Sequence, residues 1–167
     1  MALATRTIFK SIYQIDQNQI TFEQPIMIRH TFSKQERLKG KRLIEYIFEQ
    51  GHTIYMQPFK LWYCFKDDVE PAIHIHSSAK ILLSVGVSKR HFKRAVQRNR
   101  IKRLIKEAYR LQKHILVDNF KIEADQLYCF VQYTSSTMPI YKEIFGKMEV
   151  LLKKIATIIH AKNLDHT

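Results

Sequence analysis

The chain has few of the residues on which small secreted or fibrous proteins depend. Its 167 residues include only two cysteines, four glycines, four prolines and one tryptophan. Two cysteines cannot by themselves form a disulfide framework or a four-ligand zinc site. So few glycines and prolines exclude collagen-like and low-complexity classes. No run approaches 18 uncharged apolar residues, so we predict no membrane span and a cytoplasmic protein with reduced thiols.

Acidic side chains are also scarce, and the imbalance is local. Fifteen Asp and Glu stand against 28 Lys and Arg, which gives a net charge of +13. The 25 residues from Lys89 to Lys113 hold 11 cations and one acid, whereas the other 142 residues carry a net charge of only +3. A solvated helix face normally mixes both signs. A field concentrated in this way favours a polyanionic partner, either a nucleic acid or an acidic membrane surface.

The pattern of apolar residues predicts one α+β domain. The expected order is α-β-β-β-α-β-α, a sandwich in which helices pack on a four-stranded sheet. We assign residues 32–167 to this domain and residues 1–31, which show no sustained periodicity, to an N-terminal extension. The predicted helices cover about 33–50, 91–116 and 139–161, and the predicted strands cover 52–57, 59–66, 80–87 and 124–133.

Local signals support several of these elements. Ser33 and Glu36 have the spacing of a capping box, which predicts the start of the first helix, and Gly51 is predicted to end it. The third strand is a nearly continuous apolar run, which suits a central strand. The last helix should bury a stripe formed by Ile140, Ile144, Met148, Leu151, Ile155 and either Ile158 or Ile159.

The second helix combines the cations with an apolar stripe. The stripe follows helical spacing and consists of Ile101, Leu104, Ile105, Ala108, Leu111 and Ile115. We expect it to pack on the sheet, which disfavours binding to a membrane surface through the same helix. The remaining faces then present cations for RNA or DNA.

The segment from Arg98 to Arg110, RNRIKRLIKEAYR, closely resembles the RNR signature of the bacterial ribonuclease P protein family. These proteins are the small subunit of the ribonucleoprotein that removes the 5′ leader of precursor tRNA. Two flanking segments resemble the same family: Phe32–Leu38, with Phe48 and Gly51 downstream, and Val85–Arg90. The resemblance covers about residues 32–133.

The resemblance implies two RNA-binding sites. The RNR-bearing helix would bind the catalytic RNA subunit, where the planar fork of arginine can reach two phosphate oxygens. A cleft beside it would hold the unpaired leader, whose bases stack on aromatic rings next to cations. The residues that match the first site are Arg98, Asn99, Arg100, Lys102 and Arg103. Those that match the second are Ile44, Phe48, Trp62, Ser88, Lys89 and Arg90.

The resemblance also implies where the chemistry is done. The endonuclease is the holoenzyme, its catalyst is RNA with bound Mg²⁺, and the protein supplies no catalytic residue, metal site or organic cofactor. It further implies a left-handed crossover between the third and fourth strands, although crossovers between parallel strands are right-handed as a rule. An alternative remains a non-catalytic RNA-binding or ribosome-associated module.

Other candidate sites in the sequence are weaker. Asp67, Asp68 and Glu70 could suggest a metal-dependent nuclease, but they share one polar turn and are better read as a solvated loop. His74 and His76 have no third ligand at suitable spacing. Cys64 and Cys129 lie within apolar strands and are expected to be small core residues.

Overall fold

The architecture is an α+β sandwich, as the sequence predicts. A computed structural model describes residues 31–117 and 126–165. Its helices are α1 (Lys41–Gln50), α2 (Ala95–Gln112), the short α3 (His114–Val117) and α4 (Tyr141–Asp165). Its strands are β1 (His52–Met56), β2 (Phe59–Phe65), β3 (Ile81–Val87) and β4 (Leu127–Tyr133). Almost all of the predicted extension, residues 1–30, lies outside the described residues, so its assignment stays a prediction.

The four strands form one mixed sheet in the order β1-β2-β4-β3. The β1–β2 and β2–β4 pairs are antiparallel, whereas β3 and β4 are parallel. The prediction that β3 is a central strand is therefore wrong, because β3 lies at the edge of this sheet. Its continuous apolar run reflects burial on both faces, with Leu82 facing one core cluster and Leu83 the other. The crossover from β3 to β4 contains α2, and its predicted left-handedness stays a prediction.

The first predicted helix starts too early. Ser33 and Glu36 do make the reciprocal bonds of a capping box, since the Ser33 N–H donates to the Glu36 carboxylate (2.8 Å) and the Glu36 N–H to Ser33 Oγ (3.3 Å). They close an isolated turn, after which residues 36–38 run beside β3. The Leu83 N–H donates to the Glu36 carbonyl (2.8 Å), and the Leu38 N–H donates to the Leu83 carbonyl (3.1 Å). Gly40, at φ +92°, then separates this segment from α1.

The other helices agree with the sequence more closely. α2 begins at Ala95 rather than near residue 91, because residues 89–91 form a turn. Within its predicted stripe, Ile101, Ile105 and Ala108 are fully buried, whereas Leu104 and Leu111 are only partly buried and Ile115 lies in α3. Tyr109 and Gln112, which were not predicted, are buried as well. In α4, Ile140 precedes the helix and is 66% exposed, so its predicted burial is wrong. The remaining predicted stripe of α4 is buried at Ile144, Met148, Leu151, Ile155 and Ile159.

The two faces of the sheet are covered unequally. On one face α2 and α4 form the main core against side chains that include Phe59, Leu61 and Val131. On the other face α1 supplies a smaller cluster, in which Leu43 and Ile47 pack with the buried strand residues Cys64, Leu82 and Tyr128. These three lie toward one end of their strands, so the other end of this face is left open beside α1. Burial raises the pKa of the Cys64 thiol to about 12, which fits an unreactive core cysteine.

Gly51, directly after α1, tests how tightly the chain is packed at the end of that helix. A Cβ on Gly51 would lie 2.4 Å from the Ile47 carbonyl oxygen and 3.0 Å from that of Tyr63, both backbone atoms. Gly51→Ala should therefore lower the free energy of unfolding by about 1–3 kcal/mol. The matched control is Gly146→Ala in α4, where nothing lies within 4 Å and alanine should add about 0.5–1 kcal/mol of stability. Urea unfolding of both variants measures this, and a neutral Gly51→Ala would contradict the packing described here.

Candidate RNA-binding surfaces

The basic face of α2 carries all five residues predicted for the RNA subunit. Because Ile101 and Ile105 are fully buried against the sheet, the rotation of the helix about its axis is fixed. The five predicted residues then lie on the sides of the helix that are turned away from the core. Asn99, Arg100 and Arg103 are exposed, while Arg98 and Lys102 are half-buried at the flank.

Arg98 differs from its neighbours because its side chain turns back on the protein. Its Nη1 donates to the backbone carbonyls of Phe92 (2.8 Å) and Lys93 (2.6 Å). Phe92 is buried, and its N–H donates to the Ser88 carbonyl (3.2 Å). Arg98 thus holds the start of α2 to the turn that carries Lys89 and Arg90.

The one acid among the cations of α2 is already paired. Arg110 donates to both carboxylate oxygens of Glu107, at 2.8 and 2.6 Å. This hydrogen bonding lowers the pKa of Glu107, so the carboxyl group stays ionised. The pair lies near the C-terminal end of α2, so it leaves the positive charge of the N-terminal half uncompensated.

An aromatic groove of about 320 Å³ lies on the open end of the sheet, beside α1. Phe48 projects from α1 and meets Trp62 and Phe130 edge to face, with ring centroids 5.0 and 4.8 Å apart. Phe48 nevertheless remains 43% exposed, so its ring is not sealed in the core. Gly86 lines the groove beside the Phe130 ring, and a Cβ on Gly86 would lie 2.7 Å from that ring. Glycine is required at this position if the ring is to lie so close to β3.

Only part of the predicted cleft lies in this groove. Phe48 and Trp62 line it, whereas Ile44 packs against the smaller core cluster beneath α1. Ser88, Lys89 and Arg90 follow the groove-lining residue Val87 directly in the chain, and both cations are exposed. Ser88 Oγ accepts the Arg90 N–H at 3.1 Å, which shapes the turn that carries them.

Sequence reasoning missed several residues of the groove. Phe130 stands directly opposite Trp62 in the β2–β4 register. Lys60 Nζ lies 4.4 Å from the centre of the Trp62 ring, a cation–π contact. The alternation of side chains along β4 predicts that Phe130 points to the other face of the sheet from the residues of the main core. Its neighbour Trp62 on β2 could not be predicted in this way, because that contact depends on pairing between distant strands.

The acidic and histidine candidates of the sequence all lie between β2 and β3. No group of three or more His, Cys, Asp or Glu is placed to hold a metal ion within residues 31–117 and 126–165. Asp67 and Glu70 are exposed in the loop after β2, and the Asp68 carboxylate accepts the Phe65 N–H at 3.2 Å. His74 donates through Nε2 to the Val69 carbonyl (2.7 Å) when that nitrogen is protonated. Over the same residues, no helix is both long and apolar enough to cross a bilayer.

A fixed basic helix and an open aromatic groove flanked by cations define an RNA-binding protein of the α+β class. Comparison with known proteins specifies it further. The family model described as Ribonuclease P matches residues 32–156. The chain therefore belongs to the ribonuclease P protein family, and it works with the RNA of that enzyme in processing the 5′ end of tRNA.

Relatives and solved structures agree with this assignment. The chain is 33% identical to the ribonuclease P protein component of Porphyromonas gingivalis over 126 residues, which are 74% of this chain and 85% of that protein. The corresponding protein of Chlorobaculum tepidum is 39% identical over 89 residues, 53% of this chain and 55% of that one. The fold is similar to the RNase P proteins of Staphylococcus aureus (TM-score 0.54, 21% identity, 72% and 94% of the two chains) and Thermotoga maritima (0.54, 18%, 71% and 96%).

The contacts of Arg98 predict that it differs from Arg100 in its effect on stability. Arg98→Ala removes a charged donor from the carbonyls of Phe92 and Lys93, so we expect a loss of about 1–2 kcal/mol in the free energy of unfolding. Arg100→Ala, at an exposed position two residues later, should change it by less than about 0.5 kcal/mol. Chemical denaturation of the two variants compares them directly. Equal stabilities would show that the Arg98 hydrogen bonds contribute nothing.

Proposed function

We propose that the protein docks on the catalytic RNA of ribonuclease P through α2 and holds the unpaired 5′ leader of precursor tRNA in the aromatic groove. In this proposal the RNA subunit and its bound Mg²⁺ carry out the hydrolysis, and no organic cofactor takes part. The protein would work in the cytoplasm with its RNA. The observation that carries the proposal is the half-exposed Phe48 between Trp62 and Phe130.

The chemistry of the groove suits a single-stranded leader. Every base has a π-face, so stacking on aromatic rings binds unpaired nucleotides with little sequence preference, at about 1–3 kcal/mol per base. Lys60, Lys89 and Arg90 lie on or directly after the strands of the groove and can neutralise phosphates between stacked bases.

The chemistry of α2 suits a structured RNA. Its exposed side chains at Asn99, Arg100 and Arg103 project from a rigid helix, so their spacing is set before binding. Preset donors lose less conformational entropy on binding than a flexible basic tail would lose. Binding through phosphates also releases counterions, so affinity should depend steeply on salt.

Reconstitution tests the proposal as a whole. The full chain is mixed with the RNA subunit, Mg²⁺ and a precursor tRNA that carries a labelled leader. Release of the leader at the mature 5′ end, at a higher rate or lower Mg²⁺ concentration than with the RNA alone, is the expected result. Tight RNA binding without any effect on cleavage would instead favour the ribosome-associated alternative.

Phe48 provides the sharper test of the groove. Phe48→Ala should weaken binding of precursor tRNA to the holoenzyme by about 1–3 kcal/mol if one stacked base is lost, and leave binding of mature tRNA unchanged. The measurement is paired binding of tRNA with and without its leader.

Two controls accompany the Phe48 variant. Val150→Ala, on α4, removes a similarly exposed apolar side chain (47%) outside the groove and should affect neither tRNA. A thermal melt shows whether Phe48→Ala is folded, because a fully packed aromatic would cost about 3–5 kcal/mol. Equal losses for both tRNAs, or a collapse in stability, would place Phe48 in the core and remove it from the leader site.

A further inference from the structure

Residues 31–38 are fastened to α2 and to Lys113 directly after it, although more than 70 residues separate the contacting pairs in the chain. The Phe32 ring meets the Tyr109 ring edge to face, with centroids 5.6 Å apart. Lys113 Nζ donates to the Thr31 carbonyl (2.5 Å) and forms an ion pair with the Glu36 carboxylate. Together with the bonds of residues 36–38 to Leu83, these contacts fix the segment between β3 and α2.

This attachment places Arg37 beside the cations of α2. The Arg37 guanidinium carbon is 5.8 Å from the centre of the Phe32 ring, which itself packs on Tyr109. Lys106 lies one turn before Tyr109 on α2, and Lys102 lies one turn before Lys106. Arg37 is exposed, whereas the two lysines are half-buried.

The positive charges of Arg37 and Lys102 both act on Lys106. Burial lowers the pKa of Lys106, and the positive charges of Arg37 and Lys102 lower it further. The nearby acids are engaged elsewhere, since Glu36 pairs with Lys113 and Glu107 pairs with Arg110. Within the described part of the chain, no ion pair includes Arg37, Lys102 or Lys106.

An anion at this patch would relieve the repulsion among the three cations. The guanidinium of Arg37 offers a planar fork that matches two phosphate oxygens, and the two ammonium groups add point charges beside it. Asn99 lies one turn before Lys102 and Arg103, and Arg103 lies one turn before Lys106, so the patch adjoins the exposed residues of α2.

We infer that Arg37, Lys102 and Lys106 form a phosphate-binding patch that extends the RNA-subunit surface from α2 onto residues 32–38. Arg37 is the new member of this surface, because it belongs to a segment outside the basic helix. The inference rests on the proposed docking of α2 on the RNA subunit and adds a second element to it.

The test is the affinity of the full chain for the RNA subunit, measured over a series of salt concentrations. Arg37→Ala and Lys106→Ala should each weaken binding and reduce the slope of log affinity against log salt by about 0.7–0.9, the value for one lost phosphate contact. Arg37→Lys should restore the slope but only part of the affinity, since lysine keeps the charge and loses the fork.

The control is Lys154→Ala, which removes one exposed cation from α4 and changes the net charge equally. The inference is overturned if Arg37→Ala and Lys106→Ala match Lys154→Ala, because the effect would then be one of net charge alone. It is also overturned if the two variants change binding of precursor tRNA but not of the RNA subunit. Arg37→Ala removes a contact of residues 32–38 and can lower their stability. If Arg37→Ala melts early, the test rests on Lys106→Ala, which changes a residue of the helix instead.

Arg100→Ala separates this inference from the proposal on which it rests. If Arg100→Ala lowers the salt slope and the two patch variants do not, α2 docks on the RNA subunit and the patch is wrong. If none of the three variants changes the slope, the docking of α2 itself is wrong.

Discussion

The structure depends on the packing of α2 against the sheet. Ile101, Ile105 and Ala108 are fully buried, and Tyr109 is nearly so. The helix cannot rotate or lift without exposing this stripe, and full burial of each large apolar side chain stabilises the protein by about 1.5–3 kcal/mol. The core therefore sets where each cation of α2 points. A basic segment that would repel itself in isolation becomes a rigid surface for a polyanion.

The same sheet also creates the groove, because its second face is only half covered. α1 buries Cys64, Leu82 and Tyr128, and it meets Trp62 and Phe130 through the ring of Phe48, which stays 43% exposed. Gly86 lets the Phe130 ring lie close to β3, and β3 leads directly into the turn that carries Lys89 and Arg90. Arg98 then ties that turn to α2. The groove and the basic helix are thus separate surfaces, held in place by the packing of α2 on the sheet and joined by the short segment between β3 and α2.

Much of the fold followed from local sequence pattern, whereas the sites required more. Helical and strand periodicity predicted the order of the elements, since each element's apolar stripe is contained within it. The predicted start of α1 was wrong because a capping box does not require a helix to follow. Its four residues can also close an isolated turn, as Ser33 and Glu36 do here. Phe130 and Arg37 were missed because their neighbours come from strand pairing and from a segment bound to α2 across the fold. The assignments to the RNA subunit and the leader came from family resemblance, which periodicity cannot replace.

The central claim is that two separate surfaces of one rigid body serve two different RNAs. A double-mutant cycle of Arg100→Ala and Phe48→Ala tests it most directly, with affinity for the RNA subunit and for the leader of precursor tRNA measured on all four proteins. The account predicts that each substitution affects only its own RNA and that the two effects add within about 0.5 kcal/mol. A loss of RNA-subunit affinity in Phe48→Ala, or a coupling energy well above that value, would contradict it.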